Sequence, residues 1–304
     1  MFALSLLVAS MVVFWVLSVL PGDPATRILG VQATPEKVAA LRHDLGLDRS
    51  LVSQYGDWVS GAVRGDFGQS YVSGSAVAPQ ITDRLRITLP LAILGMLLAS
   101  VVALPAGVFA ASRHRTAGDV FVSVLSQIGI SIPAFWAGLL LTTYLAVRWG
   151  LFPAGGFPGW SESAWGSLKS LILPAVSLAL VQGAILTRYV RSAVLEVMRE
   201  DFVRTARAKG LTRRVALRRH GLRNAAIPVV TILGLQLAAL LAGTVVIENV
   251  FVLPGLGRLL VQAIGRRDLL VVQGVTLVIT ATILAVNLGV DLLYNLLDPR
   301  LRTR

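Results

Sequence analysis

The chain of 304 residues is 55% hydrophobic and only 14% charged, with a net charge of +12 at pH 7. Soluble domains carry about 25% charged residues, so there is too little polar material here to coat a soluble fold of this length. A soluble enzyme, a disordered tail and a DNA-binding domain are excluded.

The few charges are unevenly placed. Six runs contain no Asp, Glu, Lys or Arg: Met1–Gly22, Ile87–Ser112, Val120–Val147, Ser170–Thr187, Asn224–Ile247 and Leu269–Val290. Each reaches the roughly 18–20 residues that cross a hydrocarbon core. The next run, Phe67–Thr82, is shorter and rich in Ser, Gly and Gln, and does not qualify. The pattern predicts an all-α integral membrane protein with six transmembrane helices.

In chain order, residues 1–22 form the first span. They lack a basic leader and end in Pro21-Gly22-Asp23-Pro24 without a small-x-small cleavage site, which favours a span over a cleaved signal peptide. Residues 23–84 form an external segment of balanced charge. Within it Thr34-Pro35-Glu36-Lys37 starts a helix, with Thr34 as N-cap and Pro35 at the first position; Val38, Leu41 and Leu45 follow before Gly46 ends it. Tyr55, Trp58, Val59 and Val63 predict a second short amphipathic helix lying at the membrane interface. Residues 85–297 hold the other five spans as one core, and 298–304 form a tail. A basic turn, Arg113-His114-Arg115, joins spans two and three. Trp149, Trp160 and Trp165 mark the next connection as interfacial. The densest basic loop, 188–223, follows span four, and 248–268 form an external re-entry with Pro254, Gly255 and Gly257.

An even number of spans puts both termini on one side. That side, comprising 113–119, 188–223 and 291–304, carries 16 basic and 6 acidic residues, whereas the other carries 12 and 10. Excess basic charge marks the cytoplasm, so both termini are expected inside a cell membrane. The basicity is therefore topological, and no nucleic-acid partner is implied.

Several chemistries lack their residues. There is no cysteine, and His43, His114 and His220 have no ligand spacing, so neither a metal site nor a catalytic group is expected. No Gly-x-x-x-x-Gly-Lys-Ser/Thr run exists to bind ATP. The six runs contain no Asp, Glu, Lys, Arg or His, whereas ion-coupled transporters usually place a carboxylate or His at membrane depth; this weighs against a stand-alone secondary transporter. The bulkiest polar residues in the spans are Gln127, Gln182, Gln236 and Asn287. They serve either interhelical hydrogen bonding or a polar path for a neutral or zwitterionic solute.

In the basic loop, Phe202, Ala206 and Gly210 recur at intervals of four, one aromatic and two small residues on one helical face, with Arg204, Arg207 and Lys209 around them. Such a face fits a groove on a partner; the plain alternative is a basic surface loop. Arg204-Thr205-Ala206-Arg207-Ala208-Lys209-Gly210 and Arg219-His220-Gly221-Leu222-Arg223-Asn224-Ala225 together resemble the cytoplasmic loop of binding-protein-dependent ABC importer permeases. More narrowly, they resemble the B-type subunit of the dipeptide/oligopeptide/nickel permease family. Pro21-Gly22-Asp23-Pro24, Leu45-Gly46-Leu47-Asp48, Gly65-Asp66-Phe67-Gly68-Gln69-Ser70, Pro254-Gly255-Leu256-Gly257 and Leu297-Asp298-Pro299-Arg300 extend the resemblance over nearly the whole chain. The loop departs from the family at Arg204, where the family carries Glu, and at Arg223, where it carries Pro.

The resemblance implies the type I importer permease fold and a transport subunit without its own ATPase site. It further implies a second, C-type permease, two ATP-binding subunits that hold ATP and Mg, and an extracytoplasmic solute-binding protein docking on 25–84. The contact with the ATPase would be Phe202 and Arg204 to Gly210: Arg204, Thr205, Ala206, Arg207, Ala208, Lys209 and Gly210. Short peptides are the implied cargo, with nickel chelates, glutathione, haem or oligosaccharides as alternatives within the family. The topology is directly testable in a chain without cysteine. Ser60→Cys should react with an impermeant maleimide in intact cells and Thr205→Cys only after permeabilisation; the reverse pattern would invert the assignment.

Overall fold

The computed structural model describes residues 2–19, 23–30 and 33–297. These form thirteen helices: α1 Phe2–Ser18, α2 Pro24–Leu29, α3 Pro35–Asp44, α4 Leu51–Val63, α5 Val77–Ser112, α6 Ala117–Ser131, α7 Ala134–Leu141, α8 Ala164–Val197, α9 Asp201–Ala208, α10 Arg213–Ala216, α11 Leu222–Val250, α12 Leu256–Arg266 and α13 Leu269–Leu297. No strand occurs among the described residues. The predicted tail 298–304 lies outside them.

The six uncharged runs do not become six equal spans. Four continuous helical stretches are long and apolar enough to cross a membrane: Val77–Ser112, Ala164–Val197, Arg213–Val250 and Leu269–Leu292. The predicted third span is broken into α6 and a second helix through Arg148, bent by 94°. Pro133 is the cause. It lacks an N–H and excludes the α conformation at the residue before it, and Ile132 accordingly sits at φ −89°, ψ 121°. The first helix has 17 residues, short of the roughly 20 that span a bilayer; residues 1 and 20–22 of that predicted span lie outside the described ones.

By internal contacts the chain forms two units, Met1–Ile87 with Pro254–Ala285, and Thr88–Leu253 with Val286–Arg304. In the first, the capping signals hold. Thr34 Oγ1 accepts from Lys37 N–H at 3.4 Å, and Gly46, at φ +65°, ends α3. Its N–H reaches His43 O at 2.9 Å, and Leu47 N–H reaches Arg42 O at 2.8 Å. This paired-bond ending needs a left-handed residue, hence glycine. His43 Nδ1 then meets Asp48 Oδ2 at 2.8 Å; the hydrogen bond, and after it the carboxylate's charge, raises the imidazole's pKa above its usual value.

The second amphipathic helix, α4, does not lie free at an interface. Its aromatic face packs on α1, with Phe14 5.4 Å from Tyr55 and 5.9 Å from Trp58 between ring centres, and Tyr55 Oη 2.8 Å from Ser10 Oγ. Phe14 and Trp58 are buried by this contact, and tilted or edge-on ring pairs of this kind stabilise beyond their buried area. The rest of this unit's core joins Val77 and Ile81 of α5 to Leu256 and Leu259 of α12 and Val272 and Val275 of α13. Asp268, between α12 and α13, is buried and accepts from Ser70 Oγ and, at 3.2 Å, from Tyr71 N–H.

In the second unit, α8 is the central element, packed by α6, α7 and α11. Its core joins Ala103 and Ala111 of α5 to Leu186, Val190 and Val194 of α8 and Val229 of α11. Lipid tails are as apolar as the side chains, so these helices associate through close contact rather than the hydrophobic effect, and small residues allow it. A Cβ at Gly107 would lie 2.7 Å from Val190 Cβ and 2.8 Å from the Thr187 carbonyl. Gly107→Leu should therefore lower stability by on the order of 1–3 kcal/mol, read as a lower melting temperature in detergent. Gly289→Ala, where nothing lies within 4 Å of the new Cβ, should be neutral.

Candidate functional site

The segment between α8 and α11 carries the predicted partner contact. The last turn of α8 leads through Met198 to α9, a two-turn helix that Lys209 and Gly210 close. Gly210 has φ +94°. Its N–H reaches Arg207 O at 2.9 Å and Leu211 N–H reaches Ala206 O at 3.3 Å, the same paired ending as at Gly46. A Cβ here would meet nothing within 4 Å, so backbone conformation, not crowding within the chain, selects glycine. Thr212 Oγ1 then caps α10 by accepting from Val215 N–H at 3.4 Å. A π-helical turn, Leu217–Gly221, leads into α11.

The helix presents a different face from the one its spacing predicts. Val203 and Ala206 are buried against the chain itself, whereas Phe202 is 41% exposed. Thr205, Arg207, Ala208 and Lys209 are exposed, as is Arg204, which pairs with Asp201 at 2.5 Å. Ala206 thus belongs to the base that seats α9, and the outward surface is built by Phe202, Thr205 and the residues beyond. Spacing places Phe202 and Ala206 on one face but does not distinguish inward from outward; the apolar Val203 one step on decides it. Beside α9 lies an open groove of about 560 Å³ lined by Ser192, Leu195, Glu196, Arg199, Glu200 and Arg204 among others.

Between the start of α6 and α8 the structure holds a cluster that sequence reading missed. Asp119, buried on the first turn of α6, accepts from Arg191 Nε at 2.6 Å and from Arg191 Nη2 at 2.8 Å. Arg115 N–H donates to the same carboxylate at 2.9 Å, and His114 Nδ1 lies 3.2 Å away. Arg115, at φ +65°, turns the chain so that its backbone can do this. Arg213 Nη2 reaches Ala111 O at 3.5 Å. His114 and part of the basic charge therefore have a structural task besides topology. The one signal in the sequence was Asp119 itself, the single acid in the turn 113–119.

A second omission concerns α11. Glu248 is fully buried, and Thr88 Oγ1 donates to its Oε1 at 2.6 Å. The uncharged run stops at Ile247 because charge defined it, yet the helix continues to Val250. α11 therefore carries a buried ionisable group one residue beyond the uncharged run, in the segment read as an external re-entry.

Of the four polar span residues, Gln127 is exposed on α6, and Gln182 on α8, Gln236 on α11 and Asn287 on α13 are half-buried. Gln182 Oε1 is buried and has no hydrogen-bond partner among the described residues.

Comparison with known proteins places this arrangement. Residues 103–303 match the family described as "Binding-protein-dependent transport system inner membrane component", and residues 2–92 match its N-terminal companion family. The chain belongs to this family of ABC importer permeases. It is 42% identical over 297 residues to a peptide transport system permease protein of Brucella abortus (strain 2308), covering 98% of this chain and 95% of that protein. It is 40% identical over 298 residues to the glutathione transport system permease protein GsiC of Escherichia coli (strain K12), with the same shares covered. The fold is similar to that of an inward-facing MetNI methionine ABC transporter, with a TM-score of 0.60 at 19% identity over 72% of this chain and 96% of that one. An amino acid ABC transporter gives a TM-score of 0.54 at 15% identity, over 71% and 94%. The permease is a multi-pass membrane protein of all-helical fold.

The Asp119–Arg191 pair should be costly to break on one side. Arg191→Leu leaves a buried carboxylate without its cation and should lower stability by on the order of 3–5 kcal/mol. The double variant Asp119→Leu/Arg191→Leu should recover much of the loss. Thermal unfolding of the purified chains in detergent reads both.

Proposed function

We propose that this permease forms part of the path of an ATP-driven importer for short peptides. It draws its energy from two ATP-binding subunits that seat on α9. The observation that supports the docking role is the build of α9. It is a short helix with a buried base of Val203 and Ala206, an exposed Phe202 and a sharp glycine ending. An exposed aromatic on a rigidly seated helix is the usual form of an anchor at a protein interface.

In this reading a homologous second permease completes the path. A solute-binding protein delivers cargo to the face formed by 25–84, and both termini are cytoplasmic. The chain holds no cofactor, and ATP and Mg act on the partners. Closure of the ATP-binding subunits moves the two seated helices together and switches the path between inward- and outward-open states, a population shift driven by differential binding. Gln127, Gln182, Gln236 and Asn287 are the candidate polar lining. Peptide cargo is supported by the full-length likeness to a permease named for peptides. Glutathione, itself a small peptide, is the second reading, supported by the likeness to GsiC.

Substituting Gly210 by Trp would disturb the helix ending as well as any contact, because its φ is positive. Exposed positions test docking alone. Thr205→Trp and Phe202→Ala should each weaken seating of the ATP-binding subunits by about 2 kcal/mol or more if α9 is the anchor. Membrane insertion and pairing with the second permease should be unchanged. Co-purification of the ATP-binding subunits and uptake of labelled dipeptide in vesicles read the effect; normal values for both variants would return α9 to a plain basic loop.

A further inference from the structure

The helix α1 has two different faces. Phe14 turns inward onto Tyr55 and Trp58, while Leu4, Val8, Val12, Trp15 and Val16 are exposed along the opposite stripe. A contiguous apolar stripe of this kind on a membrane protein faces lipid. Near the C-terminal end of α1 the first unit contains a half-enclosed cavity of about 570 Å³, within the range that holds small organic ligands.

The cavity is built in two zones. Phe14, Leu17, Trp58, Phe67 and Leu270 give it an apolar floor. Its rim carries Arg42 opposite Asp23 at 3.5 Å and Arg49 opposite Asp57 at 2.6 Å, with Asp66 beside them. Two cations and three carboxylates stand there, so the rim has one carboxylate in excess and disfavours a bare anion such as phosphate. A peptide backbone reaching the floor would need donors and acceptors that apolar side chains do not supply, and the one indole N–H there, on Trp58, is itself buried. What fits both zones is an amphiphile with an alkyl chain and a head bearing both signs.

We infer that this cavity is a binding site for a zwitterionic phospholipid. Its phosphate accepts from Arg42 and Arg49, its ammonium lies against Asp57 and Asp66, and one acyl chain covers the half-buried Leu17, Phe67 and Leu270. The exchange is favourable because each head-group charge replaces part of an existing ion pair with one of the same kind, and the chain removes apolar surface from water. The bound lipid would pin α1 to α3 and α4. The inference rests on α1 lying in the bilayer, which a separate variant tests: Ala3→Cys, at the start of α1, should react with the impermeant maleimide only after permeabilisation.

The test uses the assembled importer in nanodiscs of equal phosphatidylethanolamine and phosphatidylglycerol, extracted and examined by native mass spectrometry. The wild type should retain one phosphatidylethanolamine at about tenfold preference over phosphatidylglycerol. Leu51→Trp, which fills the cavity from its wall, should abolish that retention. Arg49→Ala/Asp57→Ala, which removes only an exposed pair, should abolish the preference and so covers the case in which Leu51→Trp does not assemble. Equal retention of both lipids by the wild type, unchanged preference in the double variant, or a peptide in place of the lipid would each overturn the inference.

Discussion

Everything in this permease follows from one constraint: in hydrocarbon, each backbone N–H and C=O must find its partner within the protein. An unpaired group there costs several kcal/mol, more than most side-chain contacts return. Helices of 29 to 36 residues such as α5, α8, α11 and α13 are the result. The interruptions are correspondingly specific. Pro133 removes a donor and bends its span by 94°. The π-helical turns at Thr142–Arg148 and Leu217–Gly221 absorb an extra residue without leaving the backbone unpaired, and such turns recur where function needs a deviation.

The same constraint governs the charges. The buried ionisable groups near the helix ends, among the described residues, stand in company. Asp119 has Arg191 and the Arg115 amide, Glu248 has Thr88, and Asp268 has Ser70 and the Tyr71 amide. Each joins segments distant in sequence, so the polar groups act as clasps between elements whose apolar faces would otherwise slide. At Asp119 the clasp ties α6 to α8, and the buried Val203 and Ala206 seat α9 on the chain.

Much of this was legible in the sequence. The uncharged runs located the apolar helices because charge is excluded from hydrocarbon, whatever the fold. Thr34 with Pro35, and Gly46, marked helix ends because capping is a local matter of donors and φ. The motifs from Pro21-Gly22-Asp23-Pro24 to Pro254-Gly255-Leu256-Gly257 were enough to place the family.

What the sequence by itself determined is therefore the all-helical membrane class, the local helix ends and the family membership, since each rests on composition or on neighbours within a few residues. Only the tertiary structure decided which way α9 faces, that α4 lies on α1, and that Asp119 meets Arg191 at a sequence separation of 72. It also decided that the uncharged run at 120–147 bends rather than crosses straight. The reason is the same throughout: periodicity names a face, and hydropathy names a medium. Whether that face meets lipid, the chain itself or a partner depends on what packing brings opposite it.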